Sequence, residues 1–570
     1  MTLIFVHRVA LVVAAMALTA GVAFAQQDRG QGRSMVISQF GIVAAESPLA
    51  AQAGVAILEQ GGNAVDAAVA ANAVMGVVAP MMNGMGGDLF AIVYDAKSGK
   101  YYGLNASGWS PAGETIEHLK AKGLVEMPSK GIDSVTVPGT VDGWQKLLDR
   151  FGRKKMPEVL DPAIRVAENG FAVTEWMAPY WSASADLLRS SDAASQTYLI
   201  GDRAPRVGEV FRNPDLANSL RLVARGGRDA FYKGEIARRI VALSQQHGGT
   251  FTGADLADYS SQWVDPISTT YRGWTVYEMP PNDQGIAALE MLNIMENFPL
   301  PDFGLNSTRA LHVMIESKKL AFADLARYIG DPDASRLPVA GLLSKNYAAT
   351  RAALIDMDHA NCSASAGVPP LPAGGADTTY LTVVDRDGNM VSLIQSNSGV
   401  FGSGLVAAST GFVLQNRGAG FSLDPASPNA LAGRKRPFHT IIPAFLENDK
   451  ARIAFGIMGG ANQPQAHAQF VSHVVDFHQN IQAALETARF TKYTLDGCDV
   501  QLENRIPGNV AKELAAKGHV LQMHNGYSDE MGGGQAVMRD LATGVNYGAS
   551  DPRKDGEAVP ELPPAPWPAN

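Results

Sequence analysis

Cysteine, basic charge and metal-binding spacings are all scarce in this chain. Two cysteines in 570 residues, Cys362 and Cys498, cannot build a disulfide framework or a zinc knuckle. One bridge between them is open in an oxidising compartment, but two separate thiols are the favoured expectation. The eleven histidines include no HExxH or HxxEH pair, so no metal or cofactor is expected. Lys and Arg number 47 against 56 Asp and Glu, a net charge of −9. Neither nucleic acid nor an anionic membrane is therefore the expected partner. No glycine turn ends in the Gly-Lys-Ser/Thr of a phosphate loop or keeps the spacing of a dinucleotide loop. Past residue 25 no apolar run is long enough to span a bilayer.

What is present is a large globular composition, 46% apolar and 18% charged, too apolar for a disordered chain. The 58 glycines have no triplet period and read as many tight turns. His7 and Arg8 precede an apolar run from Val9 to Ala25 that ends Ala23-Phe24-Ala25. This is the pattern of a secretory leader removed after Ala25. Export is expected, to a periplasm first and to full secretion second.

Ala- and Val-rich stretches from Pro48 to Pro80, broken at Gly61-Gly62-Asn63, predict two closely packed helices. Leu89 to Tyr94 and Tyr101 to Leu104 predict a hairpin. Residues 141–170, 213–247, 285–298 and 306–328 carry helical periodicity. From Asp331 to Gly375 the clustered Pro, Gly, Ser and Ala read as a connector or exposed loop. Thr378 to Val384 and Met390 to Ile394 then flank the turn Asp385-Arg386-Asp387-Gly388-Asn389, a second hairpin. A strand from Ala451 to Ile457 leads through Gly459-Gly460 to a helix from about Pro464 to His478. The Pro-rich end, 559–570, is expected to be disordered. Mixed runs of helix and strand favour sandwiched antiparallel sheets with helical outer layers, an α+β fold.

Asp377-Thr378-Thr379, at the start of a strand after a long loop, carries the chemistry. Cleavage between Asp377 and Thr378 would leave Thr378 with a hydroxyl and a free α-amine, and that amine can take the hydroxyl's proton. Its ordinary pKa of about 7.7–8.0 suits neutral pH. Gly459 and Gly460 lie between a strand and a helix, where two backbone N–H groups can face an acyl oxygen. Ser396, on the returning strand, is placed to hydrogen-bond the Thr378 hydroxyl.

The order of these pieces resembles the γ-glutamyltranspeptidases. Asp377-Thr378-Thr379, Asp385 to Asn389, Phe401-Gly402-Ser403-Gly404, Lys435-Arg436-Pro437, Gly459-Gly460, Ala488-Arg489-Phe490 and Gly548 to Arg553 look like that family's small subunit. Val137 to Trp144, Asp255 to Tyr259 and Tyr271-Arg272-Gly273 look like its large subunit, and the match runs in order over nearly all of 36–557. The resemblance implies the four-layer αββα sandwich of N-terminal-nucleophile hydrolases. It also implies self-cleavage of one precursor into a large subunit, 26–377, and a small one, 378–570. A dimer of such heterodimers stays open. Thr378 matches the nucleophile, Thr379 the second threonine, Ser396 a threonine supporting the nucleophile, and Gly459 and Gly460 the oxyanion donors. The partners implied are a small-molecule amide and a water or amine acceptor.

The glutamate-recognising positions depart from that pattern. Ser107 stands where the family has an arginine, His439-Thr440 where it has a Ser-Ser pair, Gly420 where it has an acid, and Ser398 where it has an asparagine. Lost partners for a buried carboxylate or ammonium cost several kcal/mol. Arg417, in the same loop as Gly420, offers a two-pronged fork for a carboxylate. The run Gly459 to His467 looks more like a divergent branch of acylases and other amide hydrolases. An exported amidase acting on a carboxylate-bearing acyl amide is the expectation. Beside it stand an orthodox glutathione hydrolase or γ-glutamyltransferase, with Arg417, His439 and Thr440 rebuilding the pocket, and a non-catalytic binding protein on the same fold.

Overall fold

The computed structural model describes residues 30–334, 337–364 and 377–564. The leader therefore lies outside the described residues. The described residues from Ser34 on pack as one unit, built on two seven-stranded sheets. The first contains β1 (Val36–Ser38), β6 (Ile267–Tyr271), β7 (Trp274–Glu278), β10 (Ala444–Glu447), β11 (Ala451–Ile457), β12 (Gly534–Asp540) and β13 (Asn546–Ser550), in the order β1-β13-β12-β11-β10-β7-β6. The second contains β2 (Ile42–Ala45), β3 (Asp88–Asp95), β4 (Lys100–Ala106), β5 (Gln262–Val264), β8 (Asp377–Val384), β9 (Met390–Ser398) and β14 (Glu557–Pro560), in the order β14-β2-β8-β9-β3-β4-β5. Neighbouring strands in both sheets are antiparallel. Strands from before and after residue 377 interleave in each sheet, so neither half of the chain owns a complete sheet.

Period-two alternation along the central strands makes three apolar layers. Tyr380, Val384, Met390 and Ile394 turn toward the other sheet and meet Phe445 and Ala454. Leu381, Val383, Val391 and Leu393 turn the other way, onto α1 (Pro48–Glu59) and α2 (Ala64–Val78). On the far side, α3 (Gly285–Met295), α4 (Thr308–Tyr328) and α5 (Gln463–Val475) cover the first sheet. Helix α2 carries Ala and Val on every face, with only Asp66 and Asn72 polar, because it is buried almost all round. Its start is fixed by Asn63, whose Oδ1 accepts from Val65 N at 3.0 Å and Asp66 N at 3.1 Å. The architecture is the αββα sandwich that the resemblance implied.

Three expectations are corrected. Cys362 and Cys498 form a disulfide across 136 residues of sequence. Around it Gly497 N donates to Cys362 O at 3.0 Å, and the buried Lys319 ammonium donates to Asn361 O at 2.9 Å. The stretch from Asp331 is not simply an exposed loop. It contains short helices at Val339–Leu342 and Lys345–Ala352, and the buried Asp331 accepts from Arg436 N at 2.8 Å. The tail is ordered past residue 559, because β14 pairs with the edge of β2 and places Val559 opposite Val43. Pro560 is tolerated there because an edge strand needs no donor on its outer side. Glu561, 3% exposed, then accepts from Gly41 N at 2.9 Å. Residues 565–570 lie outside the described residues. No helix among the described residues is long and apolar enough to cross a membrane.

Candidate active site

The hairpin β8–β9 positions Thr378. Its turn closes because Asp385 Oδ1 accepts from Asp387 N at 3.0 Å and Asn389 N at 2.9 Å, with Gly388 at φ +87°. At the other end the register shifts. Asp377 pairs with Ser398 but Thr379 with Gln395, so Thr378 faces two residues, Ser396 and Asn397, across a bulge. Ser398 absorbs the distortion at φ +75°. The Thr378 hydroxyl donates to Ser396 Oγ at 3.3 Å, and Ser398 N donates to the same oxygen at 2.8 Å. Thr378 is fully buried in the uncut chain. Thr379 Oγ1 is buried too and has no partner among the described residues.

Gly459 and Gly460 sit at φ +133° and +58° between β11 and α5, conformations that an L side chain would strain. Beneath them lies Asn462, whose side-chain oxygen and nitrogen are both buried without a partner among the described residues. His467 holds the approach to this turn. Its Nε2 accepts from Ile457 N at 3.1 Å, so Nδ1 carries the proton and donates to Glu278 at 2.8 Å. Burial pushes the imidazole down to about 3, keeping it neutral. Gln284 Nε2 donates to Thr440 O at 2.6 Å and Gly460 O at 2.7 Å. This amide ties the glycine turn to a second group of polar residues.

That group is a buried recess around Arg417, which is 4% exposed. Its Nη1 donates to Thr440 Oγ1 at 2.8 Å, while Nε and Nη2 have no partner among the described residues. Asp88 is the anion here. Its Oδ1 accepts from Gly108 N at 3.0 Å and Gly139 N at 3.2 Å, and its Oδ2 lies 3.0 Å from His439 Nε2. Burial pushes Asp88 up to about 7 against the pull of Arg417. The same burial pushes Arg417 down to about 10 despite Asp88. It also holds His439 well below the usual imidazole range, with the Arg417 charge adding to the effect. Asp88 is the strand partner of Ser396, so the recess borders the residue that holds the Thr378 hydroxyl.

A family model described as gamma-glutamyltranspeptidase matches residues 50–561. The chain belongs to the γ-glutamyltranspeptidase family. It is an enzyme, a self-processing N-terminal-nucleophile amidohydrolase of that family. It is 38% identical over 522 residues to the glutathione hydrolase-like YwrD proenzyme of Bacillus subtilis, covering 90% of this chain and 96% of that one. It is 34% identical to the oxamate amidohydrolase proenzyme of Klebsiella pneumoniae, covering 92% and 99%. The crystal structure of a cephalosporin acylase from Bacillus halodurans superposes with a TM-score of 0.86 at 42% identity, covering 94% of this chain and 99% of that one.

Set against the γ-glutamyltranspeptidase pattern, the structure brings Thr378, Thr379 and Ser396 together and joins Gly460 to Thr440 and Arg417 through Gln284. Ser107, in the place of the family's arginine, accepts from Asn282 Nδ2 at 3.2 Å through its hydroxyl and from the buried Arg436 Nε at 3.3 Å through its carbonyl; the guanidinium with an unpartnered edge is Arg417. Ser398 acts through its backbone. Asp88, Gln284 and Asn462 were missed from sequence. Asp88 closes a glycine cluster that reads as a packing turn, and only the fold puts it opposite Ser396.

Proposed function

We propose that the exported chain, freed of its leader after Ala25, cuts itself between Asp377 and Thr378. The halves 26–377 and 378–570 then form an amidase for acyl groups that carry a carboxylate. The Thr378 hydroxyl adds to the substrate carbonyl while its new α-amine takes the proton. Ser396 holds the hydroxyl, and the Gly459 and Gly460 N–H groups receive the oxyanion. The C–N bond breaks, the amine leaves with the proton, and water or an acceptor amine releases the acyl group from Thr378. Arg417 holds the acyl group's carboxylate, flanked by Thr440 and His439.

The observation that carries this reading is the Arg417 fork, a buried guanidinium with one edge unpartnered, close to Asp88, the strand partner of Ser396. Two of the relatives are named for glutathione and oxamate, both carboxylate-bearing amides. The test is a panel of dicarboxylic monoamides from oxalyl to glutaryl, set against carboxylate-free acyl amides and glutathione. The carboxylate-bearing members are expected to lead. Glutathione turned over far better than every other amide, with transfer to Gly-Gly, would return the chain to the orthodox reading.

A further inference from the structure

The atoms of the recess restrict more than charge. Arg417 presents Nε–H and Nη2–H along one edge, the pair of donors that a carboxylate meets with both oxygens. Its third nitrogen is already engaged by Thr440. Beside it stands His439, fully buried, whose backbone N–H is anchored on Asn282 O at 2.8 Å. Above about pH 7, where Asp88 is ionised, its carboxylate can only accept, and its other oxygen is already held by two backbone N–H groups. The proton between Asp88 and His439 is therefore on Nε2. That leaves Nδ1 as a bare lone pair, buried and without a partner among the described residues. The recess thus offers two donors and a fixed positive charge on one side and one neutral acceptor on the other.

We infer that His439, held in one tautomer by Asp88, is a specificity residue. It selects acyl groups that carry a neutral hydrogen-bond donor, a hydroxyl or an amide N–H, next to the carboxylate, and disfavours an ammonium there. The inference rests on Arg417 receiving the carboxylate. A carboxylate on the Arg417 edge brings its neighbouring substituent toward Nδ1. A hydroxyl gives Nδ1 a hydrogen bond and brings no charge. An ammonium puts a second cation into a buried recess beside Arg417, opposite an imidazole that stays neutral. Asp88, the one anion of the trio, has both oxygens occupied. This explains in physical terms why the acid that would grip an α-amine can be Gly420 here without leaving a charge unpaired.

The experiment compares kcat/KM for two trios of 4-nitroanilides at a pH above 7, where Asp88 is ionised. One trio is succinyl, malyl (2-hydroxysuccinyl) and β-aspartyl; the other is glutaryl, 2-hydroxyglutaryl and γ-glutamyl. Within the chain length the enzyme takes, the hydroxy compound is expected to exceed the unsubstituted one by about three- to tenfold, the worth of one hydrogen bond. The amino compound is expected to fall about tenfold or more below it. His439→Phe and Asp88→Asn should bring the hydroxy-to-unsubstituted ratio to about one. This ratio does not depend on how much of a variant folds, and the wild-type ranking needs no variant. An amino compound ranked first overturns the inference, as does a hydroxy advantage that survives His439→Phe. If no trio beats butanoyl and pentanoyl anilides, the Arg417 reading itself has failed, a separable outcome.

Discussion

Replacing Arg417 by methionine removes the guanidinium and keeps most of the buried stem. The lost edge supplies two charge-assisted hydrogen bonds at about 1.5–3 kcal/mol each. The loss for a carboxylate-bearing substrate is then at least about 3 kcal/mol, roughly 150-fold in kcat/KM. An acyl amide of equal length without a carboxylate loses nothing from the same change. The fold should survive, because burial has already pushed Asp88 up to about 7, so it can take up a proton when the nearby charge goes. Thr440 loses one hydrogen bond, from Nη1 at 2.8 Å. The assay is release of 4-nitroaniline from glutaryl and pentanoyl anilides, with self-cleavage of the variant as the check on folding. An equal loss on both substrates would refute the reasoning, and so would an unchanged KM for the glutaryl compound.

Other outcomes follow from the same geometry. Thr378→Ser should still process and turn over at a reduced rate, because serine also supplies a hydroxyl and an α-amine; N-terminal sequencing of the small subunit checks it. The Cys362–Cys498 bridge crosses the proposed cut. The processed enzyme should therefore run as one band on a non-reducing gel and as two after reduction, while Cys498→Ser runs as two in both. Asp88 has its folded pKa raised from 3.8 to about 7, so the native protein holds a proton there that the unfolded chain releases. Stability contributed by this group is present below about pH 4 and lost as pH rises toward 7. Asp88→Asn should flatten that part of the slope in denaturant midpoints measured from pH 4 to 8.

The surroundings of the candidate nucleophile Thr378 were legible because they are local. An Asp-Thr-Thr step at a strand start, a returning strand carrying Ser396 and a Gly-Gly turn are each contiguous in sequence, and the hairpin at Asp385 to Asn389 fixes the relative places of the first two. The layers were legible for the same reason, since alternation along residues 378–394 and the Ala- and Val-rich run 64–78, broken only by Asp66, Asn72 and Gly76, each encode which faces are covered. What escaped notice depends on contacts far apart in sequence. Nothing in two cysteines 136 residues apart says that their backbones meet. Asp88 gains its meaning from Gly108, Gly139 and His439, which come from three separate segments. The order at 559–561 is hidden because a Pro-rich chain end reads as disordered, whereas an edge strand accepts proline on its outer side.

The most direct test of the central claim is the intact mass of the exported protein after reduction, with Thr378→Ala measured beside it. Two fragments from the wild type, one ending at Asp377 and one starting at Thr378, with a single unbroken chain from the variant, are the predicted result. A variant cut at the same bond, or a fully active wild type that stays in one piece, contradicts Thr378 as the self-generated nucleophile.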